Sequence, residues 1–322
     1  MTSQGIQWAR LGRLDEQQIA KVDPITITRY RKVASLFALW CFSVSIYPED
    51  SESWDMALVE YKNSVDISKA NFETLVATLE FVFPRYRRQF LWAKSILKGW
   101  NVSHVTRHTV PMTRGPAALF ACCMATMGFA RLGIALLLQQ NQGHRPGETL
   151  QLFPDHCILP PEVQHNIQPG ARYIILNLGV RKGTKAKRPQ STILREDRAP
   201  KIFRLLLLLL SITPSGTPLF PYTVETFRKT LKIIEKKFGI SFGYTPHSGR
   251  AGFASEAKAE GWSFVEIREQ GRWLSDESLR IYIDCVSAAN ISQQLKSAGL
   301  EEAQVFCLRN LDAYFPLSLL TA

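Results

Sequence analysis

The chain has 322 residues, with 39 Lys and Arg against 28 Asp and Glu, a formal charge of +11 at pH 7. With 46% hydrophobic and 21% charged residues it holds enough apolar material for packed cores, which excludes an intrinsically disordered chain, and its length suits two domains. Such a cation surplus on a folded protein favours a polyanionic partner, either nucleic acid or an anionic membrane surface.

Residues 1–21 read as a loosely held tail, and Met1–Glu16 lacks the apolar run of a secretory signal. Val33, Leu36, Phe37 and Trp40 then repeat at helical spacing, with Thr28 as the expected cap. The acidic, Ser-rich stretch Pro48–Trp54 reads as a loop. Ser68 precedes a second helical pattern (Phe72, Leu75, Val76, Leu79) that Pro84 ends, and Phe90–Trp100 forms a further helix closed by Gly99. Residues 22–103 are thus expected to be an all-helical domain of about four helices. Its cations gather late, at Arg85, Arg87, Arg88, Lys94 and Lys98, as a solvated helix face or a set of phosphate contacts.

Residues 104–115 carry no apolar period and are taken as a linker to a second domain, 116–322. Ala117–Met127 and Phe129–Gln140 are expected as two core helices, followed by a turn at Gly143–Glu148. Tyr173–Leu178 and Thr192–Leu194 read as strands. Between them Arg181–Arg188 packs five cations into eight residues around a glycine (Arg181, Lys182, Lys185, Lys187, Arg188), the pattern of an exposed hairpin tip. Helices are expected again at Lys201–Ile212, Val224–Phe238, Gly252–Glu260 and Ser263–Gln270, and from Ser287 onward. The six leucines Leu205–Leu210 fall well short of the ~20 residues a bilayer span needs. Pro116–Leu138 is broken by Gly128, Arg131 and Gly133, so the chain reads as soluble and without a membrane partner. The fold class is α+β, mostly helical, with a small antiparallel sheet.

The six cysteines (Cys41, Cys122, Cys123, Cys157, Cys285, Cys307) show no Cys-x-x-Cys spacing and read as reduced, intracellular thiols. His144, His156, Cys157 and His165 fit no standard zinc spacing, so no metal site is expected. The informative segment is Thr245–Val286. His247 and Arg250 stand in Pro-His-Ser-Gly-Arg, Trp273 follows Arg250 by 23 residues, and Tyr282 follows Trp273 by nine. An arginine fork, an imidazole and an indole N–H suit the non-bridging oxygens of a phosphate diester. A phenol attacks phosphorus only when its anion is stabilised, since its free pKa is about 10.

This constellation resembles the tyrosine recombinase (phage integrase) family, which carries His-x-x-Arg, then Gly-His or Gly-Trp, then a nucleophilic tyrosine at similar spacings. Gly143-His-Arg-Pro-Gly-Glu148 is similar to the family's first-arginine box, and the basic stretch from Arg181 to its β-hairpin lysine loop. The resemblance implies a helical core-binding domain followed by a catalytic domain. It implies that Tyr282 attacks the scissile phosphate to form a 3′-phosphotyrosyl bond. Arg145 and Arg250 would clamp the phosphate, with Glu148 supporting Arg145. Lys182, with Lys185 as substitute, would protonate the leaving 5′-oxygen, His247 would act near the tyrosine proton, and Trp273 would donate to the phosphate. No ATP, metal or other cofactor is implied. The partner is double-stranded DNA, wherever in the cell DNA lies, with a tetramer as the working assembly. The stretch Ile291–Leu300 would dock on a neighbouring subunit.

Two departures stand out: Gly249 replaces the usual leucine, and the Arg145–Lys182 interval of 37 residues is long. They carry the alternative of a decayed or domesticated mobile-element protein that binds DNA without strand exchange. A type IB topoisomerase shares the chemistry but fits the spacing less well.

Overall fold

The computed structural model describes residues 16–103, 108–159, 172–180 and 189–321. They fall into two compact units that divide between residues 107 and 108.

The first unit is helical. After a single turn at Glu16–Ile19 come α1 (Pro24–Ser43), α2 (Ser51–Ser64), α3 (Lys69–Val82) and α4 (Leu91–Ser103). Asp23, not Thr28, caps α1: its carboxylate accepts the Ile25 N–H, with Pro24 at the first helical position, where its missing N–H costs nothing. The stretch expected as a loop at 48–54 instead opens α2. Asp50 accepts the Ser53 N–H while Ser53 Oγ reaches back to the Asp50 N–H, a reciprocal capping box. Ser68 caps α3 through the Asn71 N–H. Gly99 does not end α4, which runs on to Ser103. The core is aromatic, with Phe37, Trp54, Phe72 and Phe90 fully buried. Buried Asp55 of α2 accepts the Trp92 and Ala93 N–H groups, satisfying two orphan donors at the start of α4.

The second unit is built on α5 (Arg114–Thr126) and α6 (Ala130–Gln142), which pack closely against one another. Then come α7 (Pro146–Leu150), β1 (Cys157–Ile158), β2 (Tyr173–Val180), β3 (Pro189–Arg195), α8 (Pro200–Ile212) and α9 (Val224–Phe238). The site helix α10 (Ser248–Ala259) follows, then α11 (Phe264–Gly271), α12 (Asp276–Arg280), α13 (Cys285–Ser297), α14 (Glu301–Arg309) and α15 (Leu317–Leu320). The sheet is antiparallel in the order β1-β2-β3. Ile174 pairs with Leu194 and Leu176 with Thr192, putting one buried face on the core. The leucine run is α8, and its Phe203, Leu205, Leu206 and Leu209 enter that core. Among the described residues no helix is long and apolar enough to cross a membrane.

Two expectations change here. Of the stretch 104–115, the part from 108 on belongs to the second unit: Met112 is fully buried and its N–H bonds the Ser248 carbonyl at 2.9 Å. The C-terminal segment folds onto its own chain, since Ile291, Leu295, Cys307, Leu311, Phe315 and Leu320 join the core of α5 and α6. Arg131 of α6 fastens its end by donating to the Leu320 carbonyl at 2.8 Å.

Candidate active site

Helix α6 ends at Gly143, whose φ of 62° is left-handed, a conformation glycine adopts without the Cβ penalty. A side chain there would also stand 2.6 Å from the Phe253 ring. Beyond it Arg145 is the cap residue of α7, and Glu148 accepts both its backbone N–H and its guanidinium at 2.7 Å. Glu148 Oε2, which takes the Arg145 backbone N–H, also accepts Arg272 Nη2 at 2.7 Å. Burial alone would raise the Glu148 carboxyl, but the charge of Arg272, the Arg145 N–H and the Arg145 guanidinium outweigh it and hold the pKa at about 2.

Arg250 lies on α10 and is fully buried. Its Nη1 donates to the Gly143 carbonyl, while Nε and Nη2 have no acceptor. Its guanidinium carbon lies 3.8 Å from the Trp273 ring centroid and 5.5 Å from that of Tyr282, a double cation–π contact. Burial first, then the charge of Arg145, push the Arg250 guanidinium below its ordinary range. The Trp273 indole is buried, stacks on Phe253 and leaves its Nε1–H without an acceptor. Gly271 makes room for it, since a Cβ there would lie 1.6 Å from the indole.

His247 stands at the N-terminal boundary of α10, its side chain making no cap hydrogen bond there. Desolvation by the surrounding protein, followed by the charges of Arg250, Arg145 and Arg228, holds its imidazole below the ordinary histidine range, so it is neutral at pH 7. His144 is buried and bonds Thr192 Oγ1 through Nε2, so it is a packing group of the sheet.

The arrangement gathers positive charge and free donors, which suits an anion. Two guanidinium groups, Arg145 and Arg272, share one carboxylate, Glu148, and the Arg250 guanidinium lies within reach of its charge. Two nitrogens of Arg250 and the indole N–H are buried without acceptors, a costly state that a ligand with converging oxygens relieves. A phosphate diester supplies such oxygens, and its pentacoordinate transition state carries the larger negative charge.

No family model and no curated protein matches the sequence. Solved structures do. The chain is similar to the XerH site-specific recombinase bound to palindromic difH substrate, at 16% identity and a TM-score of 0.57, over 86% of this chain and 79% of that one. It is similar to the Tn1549 transposon integrase in complex with circular intermediate DNA, at 12% identity and a TM-score of 0.58, over 87% and 94% of the two chains. A lambda integrase dimer bound to a COC′ core site matches at 14% identity and a TM-score of 0.53, over 88% and 95%.

The chain has the tyrosine recombinase fold.

Of the residues singled out in the sequence, this recombinase fold gathers Arg145, Glu148, His247, Arg250, Trp273 and Tyr282 into one region of the second unit. Lys182 and the other cations of the basic stretch (Arg181, Lys185, Lys187, Arg188) lie outside the described residues, as does His165. Tyr282 is not on a major helix. It sits in the turn between α12 and α13, half-buried, its N–H bonded to the Leu279 carbonyl at 2.8 Å. Gly249 has a packing reason: α10 crosses α6 there, and a Cβ would stand 3.1 Å from Gln139 Oε1. Among the described residues no group of three or more His, Cys, Asp or Glu side chains is placed to hold a metal.

Arg272 is the site residue that sequence reasoning misses. It ends α11 in the left-handed region at φ 56°, where glycine is the usual choice. That strained backbone sends its guanidinium to Glu148 and the Gln270 carbonyl while Trp273 turns toward Arg250. Its only sequence signal is its place in Gly-Arg-Trp. In the first unit, Arg87, Arg88 and Lys98 are exposed. Lys94 is paired with Glu80, and Arg85 packs over the Tyr86 ring at 4.5 Å.

Proposed function

We propose that this chain is a member of the tyrosine recombinase family, a site-specific DNA recombinase that cuts and rejoins duplex DNA through a 3′-phosphotyrosyl intermediate. The observation that carries the reading is the set of buried, acceptorless N–H donors of Arg250 and Trp273 beneath the Tyr282 ring. The likeness to recombinases whose structures hold DNA supports it at the level of fold.

In the proposed reaction the scissile phosphate takes up the free donors of Arg250, the indole N–H of Trp273 and the guanidinium of Arg145. Glu148 fixes Arg145 in place, and Arg272 in turn holds Glu148. The Tyr282 oxygen attacks phosphorus and loses its proton toward neutral His247. The P–O5′ bond breaks, and the departing 5′-oxygen takes a proton from Lys182. A 5′-hydroxyl of a second strand reverses the steps, so the energy of the broken bond is kept in the phosphotyrosine and no ATP is consumed. Arg250 has no accessible surface while the Tyr282 ring covers it, so phosphate entry requires the 281–284 turn to move. Exposed Arg87, Arg88 and Lys98 of the first unit serve as phosphate contacts in this reading. The working assembly is a tetramer on two duplexes.

The test starts from duplexes enriched by binding to the purified protein, nicked near the exchange point so that cleavage is trapped. The expected result is a covalent protein–DNA adduct on denaturing gels that Tyr282→Phe abolishes while DNA binding persists. Salt-sensitive binding without an adduct on any trapped duplex overturns the enzyme reading in favour of a DNA-binding protein that has lost strand exchange.

A further inference from the structure

Three cysteines come together away from the candidate site. Cys122 and Cys123 lie on α5, and Cys307 lies on α14, the helix packed along α5. All three line a cleft of about 500 Å³ with Phe238, Phe306 and Tyr314. Cys122 and Cys307 are buried side by side in one core, and the Cys122 thiol and the Tyr314 hydroxyl both act as donors toward the Cys307 sulfur. Those two donors lower the pKa of Cys307, whereas the hydrogen bond to Cys307, with burial, raises that of Cys122. The two hydrogen-bonded thiols on packed helices are placed for oxidation to one disulfide.

We infer that Cys122 and Cys307 are a redox modification site, forming a reversible disulfide that fastens α14 to α5 when the protein meets a peroxide. The Cys307 thiolate attacks one oxygen of hydrogen peroxide, giving a sulfenic acid and, after protonation, one water. The Cys122 sulfur then attacks the sulfenic sulfur, the S–O bond breaks, and a second water leaves. Two thiols are oxidised by two electrons and the peroxide is reduced by two. The cross-link closes a loop of more than 180 residues that contains the whole candidate site. It also tethers the far end of the segment that begins at the Tyr282 turn.

The test treats the reduced, desalted full chain with stoichiometric hydrogen peroxide, then maps disulfides by alkylation, digestion and fragmentation mass spectrometry. A single intramolecular Cys122–Cys307 linkage is expected, reversed by dithiothreitol and retained in Cys123→Ser. Cys122→Ser and Cys307→Ser should each abolish it. The oxidised wild-type protein should melt about 5–10 °C higher, with slower hydrogen exchange across residues 285–309. A linkage through Cys123, a cross-link between two chains, or over-oxidation of Cys307 with Cys122 still a free thiol overturns the inference. Mapping of the wild-type chain decides this even where a serine variant does not fold.

Discussion

The Arg250 guanidinium lies over the Trp273 indole, 3.8 Å from carbon to ring centroid, and both groups keep buried N–H donors without acceptors. The indole therefore has two separable duties, a π face beneath a cation and a donor for an incoming oxygen. Trp273→Phe preserves a ring under Arg250 and deletes the donor. It should slow adduct formation by roughly 100-fold, the usual cost of losing one transition-state donor, with little change in melting temperature. Unchanged single-turnover rates on trapped duplexes would remove Trp273 from the chemistry.

Glu148 sets a pH dependence whose sign follows from its shift. Its pKa is about 2 in the folded chain against an ordinary 4.5, so the folded state binds this proton more weakly than the unfolded state. The stabilisation, of order 3 kcal/mol, is complete above about pH 4.5 and is lost as pH falls toward 2. Glu148→Gln should destabilise the protein by a similar amount at pH 7, because two guanidinium groups lose their shared carboxylate. Thermal melts from pH 7 to pH 2 should show the gap between the two proteins closing below pH 4.5. A gap independent of pH would mean that packing, not charge, is what Glu148 supplies.

Two glycines on α10 separate tolerable crowding from intolerable crowding. A Cβ at Gly252 would lie 1.7 Å from the Met112 carbonyl oxygen, and backbone cannot step aside as a side chain can. Gly252→Ala should cost about 3 kcal/mol or yield little folded protein. At Gly249 the nearest atom is the end of the Gln139 side chain at 3.1 Å, so Gly249→Ala should stay within about 1 kcal/mol of wild type. Equal melting temperatures for the two variants would contradict this reading of how α10 packs on Met112 and on α6.

Ser255 of α10 holds the Tyr282 turn. Its hydroxyl donates to the Tyr282 carbonyl at 3.2 Å and accepts the Asp284 N–H at 3.0 Å. Ser255→Ala leaves both groups without their partner, and a small misplacement of a nucleophile is expensive in rate. Adduct formation should fall roughly 10-fold to 100-fold at unchanged DNA affinity, which separates positioning from binding. A fall in affinity with the rate preserved would count against the assignment.

How much of this was legible in the chain varies from element to element. Val224–Phe238 was read to the residue, because a Thr223 cap, a strong apolar stripe and a terminal Gly239 all agree there. The start of α2 was missed because Glu49-Asp-Ser-Glu-Ser53 has the composition of a loop, although its Asp-x-x-Ser spacing satisfies a helix start. Strand β1 is two residues long and too short to show alternation. Within the site, His247, Arg250, Trp273 and Tyr282 were visible as a spaced pattern. Arg272 was not, because its direction is set by a left-handed backbone that residue spacing does not encode. The residue spacing gives no sign that Tyr282 sits in a turn, because α12 stops at Arg280 after only five residues.

Helix α10 bears Arg250 on one turn and Ser255 little more than a turn later. Under the proposed chemistry, the grip on the electrophile and the perch of the nucleophile ride on a single stiff rod. Thermal sway of that rod carries attacking and attacked atoms along together, so their mutual alignment is shielded from breathing elsewhere in the protein. Adjusting one without disturbing the other is then left to the short turns at either end.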